Sequence, residues 1–245
     1  MTNTIESVAG VEILDQFRER IFDLKQDDDT LLRFLKYNAY NISRSEEMLR
    51  KSVKWRQEND VASYLHWKPP KPVADDFKFE CIGEDNDGHA VIYLPIGGWS
   101  TKKVMEMGYR DDSFQFRFHL FETIMASIEK TRKTKFVMIM DMEGLTYKKC
   151  MHYETVQMLS LAFKDFEENF PEKLRACYII NAPWIFTYIY NTMKHFLSSK
   201  TLNKAKVFNE DIHKWRPFLL DRFPVNLLNK IWNPMNSTIE INNET

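Results

Sequence analysis

The spacing of apolar positions at the start of the chain is that of α-helices. Apolar residues recur at helical intervals over residues 11–24, and an acidic run at residues 27–29 precedes a second apolar segment that begins at Thr30. Carboxylates favour the positive end of a helix dipole, so a second helix is expected to begin there. Ser43 and Glu46 have the spacing of a capping box and predict the start of a third helix.

The helical pattern ends before a proline-rich segment. The third helix is expected to end near Asn59, and residues 67–72 read Trp-Lys-Pro-Pro-Lys-Pro, a sequence that cannot continue a helix. We therefore predict an N-terminal helical module over residues 1–66 and a linker over residues 67–76.

Beyond the linker, strand-like and helix-like segments alternate. Strands are predicted over residues 77–82, 90–94, 136–140, 177–180 and 205–208, and helices over residues 113–130 and 153–167. Two of these strands are continuous apolar runs, as expected of strands buried on both faces. The alternation predicts an α/β fold with a mainly parallel sheet over residues 77–233, followed by a flexible tail over residues 234–245.

The segment of residues 184–197 has no polar face. On a helix, its apolar side chains cover nearly the whole circumference: Trp184, Ile185, Phe186, Tyr188, Ile189, Tyr190, Met193, Phe196 and Leu197. A central core helix would have this pattern. A lid would have it too, with one face over an apolar cavity and the other meeting a membrane when the lid opens, because a large exposed apolar patch needs a partner.

The helix predicted over residues 113–130 also has a broad apolar face. One stripe contains Phe114, Phe118, Phe121, Met125 and Ile128, and a second stripe of Phe116, Leu120 and Ile124 widens it. The whole chain is rich in such residues, with 18 Phe and 12 Met. This composition suits either an ordinary Phe-rich core or an interior that shapes itself around a bound molecule.

Length, charge and cysteine content narrow the class of protein. The 245 residues fit one large domain, or a small domain with a larger one, and the formal net charge of -1 argues against nucleic acid as the main partner. Cys81, Cys150 and Cys177 are isolated, which indicates a reducing compartment. No signal-peptide core and no membrane-spanning stretch is visible in the sequence. We therefore expect a cytoplasmic protein whose association with membranes is transient and peripheral.

The motifs of common enzyme classes are missing. The seven glycines form no nucleotide-binding or serine-hydrolase pattern, and no two of the six histidines lie within one helical turn of each other. Asp141 and Glu143 end a buried strand and could form a catalytic pair, but no nucleophile or base motif accompanies them. A structural hydrogen-bonding role is favoured for them. The sequence predicts no catalytic residue, no metal, no cofactor and no enzymatic activity.

Several short motifs, taken in order, resemble the CRAL-TRIO lipid-binding family. They are residues 28–35 (DDTLLRFL), 48–51 with Trp55-Arg56, Asp87-Gly88 with residues 91–93 (VIY), residues 141–145 (DMEGL), 170–174 (FPEKL) and 178–183 (YIINAP). The resemblance covers roughly residues 12–225. It is strongest to animal members of the phosphatidylinositol-transfer branch, many of which carry an extra C-terminal β-sandwich domain for which these 245 residues leave no room.

This resemblance implies that a mixed, mainly parallel sheet floors a deep apolar pocket, which a gating helix closes. The gating helix corresponds to residues 184–197, and the helix of residues 113–130 supplies wall residues. The implied pocket and lid residues are Phe114, Phe118, Phe121, Met125, Ile139, Trp184, Phe186, Ile189, Tyr190, Met193, Phe196 and Leu197.

The resemblance also implies a site for a lipid headgroup. The phosphatidylinositol branch uses a Glu after Phe/Tyr-Pro and a Thr and a Lys after the gating helix, which correspond here to Glu172, Thr201 and Lys204. A cation and a hydroxyl suit a phosphate, and a carboxylate can accept hydrogen bonds from inositol hydroxyls. The alternative is that Glu172 caps a turn and Lys204 is a solvated surface charge.

The chain departs from the branch pattern at two places. The branch often has two basic residues before the aromatic that corresponds to Tyr40, but Asn38 and Ala39 stand there. The Gly-Gly that usually follows the late Pro-Val is missing, because Pro224-Val225 is followed by Asn-Leu-Leu. The C-terminal end is therefore expected to pack differently.

These features leave three functions open. The resemblance implies a cytosolic carrier of one hydrophobic ligand, a phospholipid such as phosphatidylinositol, and the lysines Lys102, Lys103, Lys194, Lys200 and Lys204 are candidates for contact with anionic headgroups. The missing basic pair favours an isoprenoid ligand instead: a tocopherol, a retinoid, a carotenoid or a sterol-pathway hydrocarbon. A regulatory or scaffold module without lipid transfer is the third function. The sequence indicates no oligomeric state.

Overall fold

The computed structural model describes residues 2–231, and it describes the side chains of residues 11–231 except that of Met193. The predictions of a flexible tail over residues 234–245 and of a lid role for the Met193 side chain lie outside the described residues.

Three helices begin the chain: α1 (Thr2–Arg20), α2 (Asp28–Tyr37) and α3 (Ile42–Glu58). The Asp27 side chain accepts a hydrogen bond from the Thr30 N–H at 2.7 Å and caps α2, so this helix begins where the acidic run predicts it. The three helices share a small core, which consists of Phe17, Ile21, Leu31, Phe34, Leu35 and Leu49.

The capping-box prediction for α3 is wrong. Asn41 caps the helix, because its side chain accepts a hydrogen bond from the Arg44 N–H at 3.0 Å, and Ser43 lies inside the first turn. Asn and Ser are about equally good N-cap residues, so the spacing of Ser43 and Glu46 alone does not locate the cap. The predicted end of the helix is confirmed, since Asn59 is its C-cap residue.

Part of the predicted linker is helical. Residues 67–70 form no helix, but α4 (Lys71–Asp76) follows them. Pro72 lies in the first turn of α4, where a helix does not need its N–H group. Val73 is fully buried in the main core, and Trp67 packs against that core. This segment is therefore packed on the body of the protein.

Five strands form one sheet: β1 (Glu80–Glu84), β2 (Ala90–Leu94), β3 (Phe136–Asp141), β4 (Leu174–Ile180) and β5 (Ala205–Val207). They lie side by side in chain order. The β1–β2 pair is antiparallel, and the other neighbouring pairs are parallel. This confirms the predicted α/β fold with a mixed, mainly parallel sheet.

Eight helices follow α4 in the described part of the chain: α5 (Thr101–Val104), α6 (Arg110–Glu129), α7 (Tyr147–Cys150), α8 (Tyr153–Asn169), α9 (Phe186–Met193), α10 (Ser199–Leu202), α11 (Ile212–Leu220) and α12 (Val225–Leu228). A π-helical segment, Met105–Tyr109, joins α5 to α6 and contains Gly108 with a φ of 95°. Within residues 2–231, no helix has both the length and the hydropathy needed to cross a bilayer.

The sheet separates two apolar cores. Alternate side chains of a strand point to opposite faces, so Met138 and Met140 of β3 join the core under α6 and α8, whereas Val137 and Ile139 join the core under α11 and α12. The prediction that Ile139 lines the ligand pocket is therefore wrong. A strand that is buried on both faces gives no pattern that tells one face from the other.

One of the two positions of the missing Gly-Gly lies in the second core. Leu227 and Leu228 of α12 are buried there, 4% and 0% exposed, together with Trp215 and Phe223. Of the two positions that would hold the glycines, Asn226 is exposed, and the Leu227 side chain fills space that a glycine would leave empty. The C-terminal end of the described chain packs through α12.

Gly97 supports a prediction about stability. A Cβ atom at Gly97 would lie 2.2 Å from the backbone carbonyl carbon of Met142, whereas a Cβ at the neighbouring Gly98 would meet nothing within 4 Å. We expect Gly97→Ala to lower the free energy of unfolding by roughly 2–3 kcal/mol through overpacking, and Gly98→Ala to change it by less than about 0.5 kcal/mol. Urea unfolding of both variants measures this, and equal stability would contradict the close approach.

Candidate ligand-binding site

An apolar chamber of about 120 Å³ lies between the sheet and the helices α6, α8 and α9. We call it the inner chamber. The sheet contributes Met138, Met140, Cys177 and Ile179 to its floor, and Phe163 and Phe166 of α8 form one wall. Nearly all of its surface is hydrocarbon or sulfur, so a ligand there would be held by burial of apolar area.

The opposite wall comes from α6. The residues that form it belong mainly to the second apolar stripe, Phe116, Leu120 and Ile124, and not to the first. Phe116, Leu120, Phe121 and Ile124 line the inner chamber. Of the first stripe, only Phe121 lines it.

The other three predicted wall residues on α6 have different neighbours. Phe118 packs against Trp55 and Tyr64 of the N-terminal region, with ring centroids 5.5 and 5.1 Å apart. Phe114 lies under the guanidinium group of Arg110, and Met125 packs against the edge of the core. The predictions of Phe114, Phe118 and Met125 as pocket residues are therefore wrong. Because other elements cover α6 on both sides, the spacing of its apolar residues does not tell which stripe faces the sheet.

A buried ion pair connects the two wall helices. Arg117 of α6 donates a hydrogen bond from Nε to Oδ2 of Asp165 in α8, at 2.6 Å, and both side chains are almost fully buried. Burial raises the pKa of Asp165, and the hydrogen bond from Arg117 opposes that shift. Arg117 also lines the inner chamber, so this pair stands at its edge.

A larger chamber of about 440 Å³ adjoins the inner one, and we call it the outer chamber. The two chambers share Ile96, Trp99, Met140, Leu159 and Phe163 as lining residues. Lysine, serine and threonine side chains from α5, α7 and the residues beside them line the outer chamber as well. The combined cavity is therefore apolar at its centre and polar where the outer chamber opens.

The predicted lid is a short helix with two different faces. Ile189 lines the outer chamber, Tyr190 lines the inner chamber, and Phe186 is 3% exposed beneath them. In contrast, Trp184 is 79% exposed and Tyr188 is 49% exposed. A helix buried on all sides, the alternative left open by the sequence, is therefore wrong.

The lid segment is less regular than the pattern indicates. The helix α9 covers only eight of the fourteen residues from 184 to 197. Beyond it, Leu197 lines the inner chamber, whereas Phe196 is 36% exposed and lines neither chamber. Trp184 is exposed and lines neither chamber, so we assign Trp184 and Phe196 to the outer face of the lid.

A cluster of charged groups surrounds Glu172 at the far end of the inner chamber. The Lys135 ammonium donates to Oε2 of Glu172 at 3.2 Å, Lys204 lies 3.5 Å from the same oxygen, and Lys200 lies 2.8 Å from Oε1. The Glu172 side chain is 10% exposed. Glu172 is therefore neither a solvated group nor a simple turn cap, and Lys204 is not a free surface charge.

The sequence-based reasoning missed Lys135, although the strand order contains a signal for it. Lys135 immediately precedes β3, and Glu172 lies two residues before β4. These strands are parallel neighbours, with Phe136 paired to Leu174. Residues just before two adjacent parallel strands lie at the same edge of the sheet, so an oppositely charged pair there is expected to meet.

The lysines determine the charge state of Glu172. Burial disfavours its carboxylate, but the close ammonium groups of Lys200, Lys135 and Lys204 outweigh this effect and lower the pKa of Glu172 to about 2. Burial lowers the pKa of Lys204, and the charge of Glu172 opposes that shift. Three ammonium groups surround Glu172, and Glu167 lines the same pocket, so one positive charge remains in excess, an arrangement that attracts an anion.

The charged cluster and the apolar chamber are contiguous. Glu172, Thr201 and Lys204 line one small polar pocket with Lys200, and Thr201 also lines the inner chamber. Within the described chain, Oε1 of Glu172 is buried and receives no well-directed hydrogen bond, although Lys200 is close to it. A carboxylate oxygen has more than one lone pair, so a ligand hydroxyl would be able to donate to Oε1 alongside Lys200.

The N-terminal helices form one side of the polar pocket. Tyr37 of α2 donates a hydrogen bond to Oε1 of Glu167 at 2.6 Å, and the Ser198 N–H, just after the lid segment, donates to the same oxygen at 3.1 Å. Burial and the neighbouring Glu167 raise the pKa of Tyr37. Lys200 donates to the carbonyl oxygen of Lys36 at 3.0 Å. The pocket thus joins α2, α8 and the start of α10.

The positions of the missing basic pair hold no cation. The Asn38 side chain donates to the Phe34 carbonyl at 3.0 Å, and Ala39 and Tyr40 have φ values of 50° and 60° in a left-handed turn. The lysines Lys135 and Lys200 supply positive charge from other elements.

Asp141 has the structural role that the sequence favours. Its carboxylate accepts hydrogen bonds from the Tyr93 hydroxyl at 2.8 Å, from the Asn181 side chain at 2.9 Å and from the Glu143 N–H at 2.9 Å. Burial and the adjacent Asp141 raise the pKa of Tyr93. Glu143 itself is exposed, so the two carboxylates do not form a catalytic pair.

One group of side chains among the described residues could approach a metal ion. Potential ligand atoms of Asp85, Asp87 and His89, in the turn between β1 and β2, lie within 4.8 Å of one another. The Asp85 carboxylate already accepts hydrogen bonds from the N–H groups of Asp87 and His89, at 3.0 and 2.8 Å. This is the arrangement of an ordinary acidic turn, and it carries no metal assignment.

Comparison with known proteins identifies relatives in sequence and in fold. A family model described as the CRAL/TRIO domain matches residues 75–233. The Sec14 cytosolic factor of Schizosaccharomyces pombe is 27% identical over 215 residues, which cover 82% of this chain and 72% of that protein. Protein real-time of Aedes aegypti is 25% identical over 207 residues, which cover 80% of this chain but only 32% of that protein.

A solved structure has the same fold. The crystal structure of Sfh5 aligns with a TM-score of 0.66 and 20% identity, over 78% of this chain and 67% of that one. At this level of identity, the likeness concerns the fold alone.

The Glu172 cluster generates a prediction about pH. The pKa of Glu172 is lowered to about 2 by folding, so its stabilising effect is complete above the unfolded pKa near 4.5 and is lost as the pH falls towards 2. We expect Glu172→Gln to remove roughly 2–3 kcal/mol of pH-dependent stability between pH ~5 and pH ~2. Urea unfolding across this range measures it, with Glu168→Gln, an exposed neighbour, as control. An unchanged pH profile in Glu172→Gln would contradict the ion-pair cluster.

Proposed function

Because the chain belongs to the CRAL/TRIO family of lipid-binding domains, we propose that it is a lipid carrier that binds one phospholipid and transfers it between membranes. The observation that carries the proposal is the continuity of a cationic pocket with an apolar cavity. Thr201 lines both, and the lysines around Glu172 stand where the apolar lining ends. An anionic headgroup joined to acyl chains has the matching chemistry.

We propose that the headgroup is a phosphorylated polyol, such as the inositol phosphate of phosphatidylinositol. The excess of one positive charge favours a phosphate, whose oxygens would accept hydrogen bonds from Lys204, Lys200 and Lys135. Glu172 Oε1 would accept a hydrogen bond from a sugar hydroxyl. A choline headgroup also carries a phosphate, but it has no hydroxyl to donate to Glu172, and its quaternary ammonium group would be repelled by the lysines.

The acyl chains would occupy the inner and outer chambers. Burial of hydrocarbon contributes about 0.8 kcal/mol per CH₂ group, so a chain of ten carbons is enough to retain a lipid without covalent chemistry. This supports a non-enzymatic carrier in which no residue has a catalytic role. The apolar ligand chains also match the walls where the two chambers meet, because the residues that line both chambers, such as Met140 and Phe163, present hydrocarbon and sulfur.

Transfer requires the lid to open at a membrane. The outer face of the lid carries Trp184 and Tyr188, aromatic residues of the type that favours the bilayer interface, and its inner face covers the cavity through Ile189 and Tyr190. We therefore propose that the protein acts in the cytoplasm and associates with membranes transiently through this helix.

The two other functions have less support. An isoprenoid ligand would use the apolar chambers but would leave the lysine cluster without a ligand. A scaffold module without a ligand would be expected to fill its cavity with side chains, yet chambers of about 440 and 120 Å³ adjoin here. Identification of the lipid that co-purifies with the protein separates the three.

We expect native mass spectrometry and organic extraction of the purified protein to reveal a phospholipid with an inositol phosphate headgroup. Lys204→Ala should weaken phosphatidylinositol binding by about 10- to 100-fold, because a charge-assisted hydrogen bond is lost. Lys214→Ala, an exposed lysine of α11 that is 65% exposed, should bind as the wild type does.

An isoprenoid in the extract, together with unchanged binding in Lys204→Ala, would contradict the headgroup assignment and favour the second function. A protein that takes up neither class of lipid would contradict the carrier function as a whole.

The lid assignment leads to a separate prediction. Ile189→Asp introduces a charge into the apolar wall of the outer chamber, and we expect it to abolish lipid transfer between vesicles while the circular dichroism spectrum stays unchanged. Asn191→Asp adds the same charge on the exposed side of α9 and should transfer lipid at a rate close to that of the wild type. Normal transfer by Ile189→Asp would overturn the lid role.

A further inference from the structure

The outer chamber opens among lysines that the headgroup site does not use. Lys102 and Lys103 of α5 and Lys148 of α7 line it, and all three are exposed. Lys102 has a loose contact with Glu106 at 3.6 Å, and Lys103 and Lys148 have no ion pair within 4 Å among the described side chains. These charges are free to meet an external partner.

A fourth lysine at the same place has a structural role instead. Lys149 donates hydrogen bonds to the carbonyl oxygens of Gly97 and Gly144, at 2.7 and 3.0 Å, and is only partly exposed. It connects the loop after β2 to the loop after β3. We call the opening of the outer chamber between these two loops its mouth. Lys149 therefore fixes the loops at the mouth, whereas Lys102, Lys103 and Lys148 are exposed to solvent.

Large apolar side chains are exposed on the same segments. Met107 is 53% exposed just after α5, Tyr147 is 59% exposed beside Lys148, and Tyr153 is 75% exposed at the start of α8. Each lies within two residues of a residue that lines the outer chamber. We call the set of Lys102, Lys103, Lys148, Met107, Tyr147 and Tyr153 the collar.

The collar combines the two chemistries that a membrane interface offers. Lysine ammonium groups are attracted to anionic headgroups, and tyrosine and methionine side chains can enter the headgroup region with their apolar parts. Among the described side chains, Glu106 is the only carboxylate that lines the outer chamber, against four lysines, so the charge at the mouth is positive. A bilayer surface that carries anionic lipids is the complementary partner.

We propose that the collar docks the protein on anionic membranes, so that the mouth of the outer chamber lies against the lipid interface. This inference rests on the proposed carrier function and names the surface and the lipid charge that the carrier uses. It assigns docking to α5, α7 and the start of α8, in addition to the lid helix. A lipid that passes through this mouth moves from chamber to bilayer without exposing its acyl chains to water.

The test is cosedimentation with vesicles of phosphatidylcholine, prepared with and without phosphatidylserine. The wild type should bind the phosphatidylserine vesicles more tightly, and added salt should weaken this binding. The triple variant Lys102→Gln, Lys103→Gln, Lys148→Gln should bind them roughly 100-fold more weakly, at about fivefold per lysine.

A matched control carries the same loss of charge elsewhere. Lys51, Lys54 and Lys214 are 75%, 74% and 65% exposed, and Lys51→Gln, Lys54→Gln, Lys214→Gln should bind vesicles as the wild type does. Equal binding by the two triple variants would overturn the proposal. So would a wild type that does not distinguish the two kinds of vesicle.

Native mass spectrometry of the same variants separates docking from ligand binding. The collar variant should retain its bound phospholipid, because its lysines lie outside the headgroup site. Loss of that lipid together with vesicle binding would overturn the proposal in favour of an anionic ligand held inside the mouth. A wild type that holds no lipid would contradict the carrier function, whereas its preference for phosphatidylserine vesicles would still be measurable.

Discussion

A cavity inside a folded protein persists only if its walls are held apart by contacts that lie outside it. In this protein the buried Arg117–Asp165 pair supplies the central contact, because it joins α6 to α8 at the edge of the inner chamber. A buried ion pair adds little net stability, but it fixes the distance between its partners, since moving either one would leave an unpaired charge. The packing of Phe118 against Trp55 and Tyr64 holds α6 from its other side. A movement of α6 alone towards the sheet would break both sets of contacts.

The order of the strands brings the polar and apolar parts of the cavity together. Apolar side chains of β3 and β4 floor the inner chamber, and the residues just before these strands, Lys135 and Glu172, meet at one edge of the sheet. The segment after the lid adds Lys200 and Lys204 to the same carboxylate. A long amphiphile with a compact anionic head matches this arrangement, in which the charge lies at one end of the cavity and the apolar volume extends away from it.

Much of the fold follows from the sequence, because each strand and each long helix has a distinct period. The mixed sheet and the positions of α2, α6 and α8 were predictable on that basis. The sequence did not predict which face of α6 or β3 turns towards the cavity, because both elements are apolar on both sides. The assignments of Phe118 and Ile139 to the pocket are wrong for this reason. Glu172, Thr201 and Lys204 do lie together, whereas Lys135 became visible only with the register of two strands that are distant in sequence.

The hydrogen bonds of Glu167 have a consequence for the mechanics of the molecule. One oxygen of this carboxylate accepts from Tyr37 in α2 and from the Ser198 N–H, which directly follows the lid segment. The first helices of the chain and the end of the lid segment therefore share one anchor. A displacement of Ser198 that broke its bond would leave a buried carboxylate with one donor fewer, so the N-terminal helices would set part of the resistance to the proposed opening of the lid. In the proposed carrier, lipid exchange would thus be controlled from outside the cavity as well as from within it.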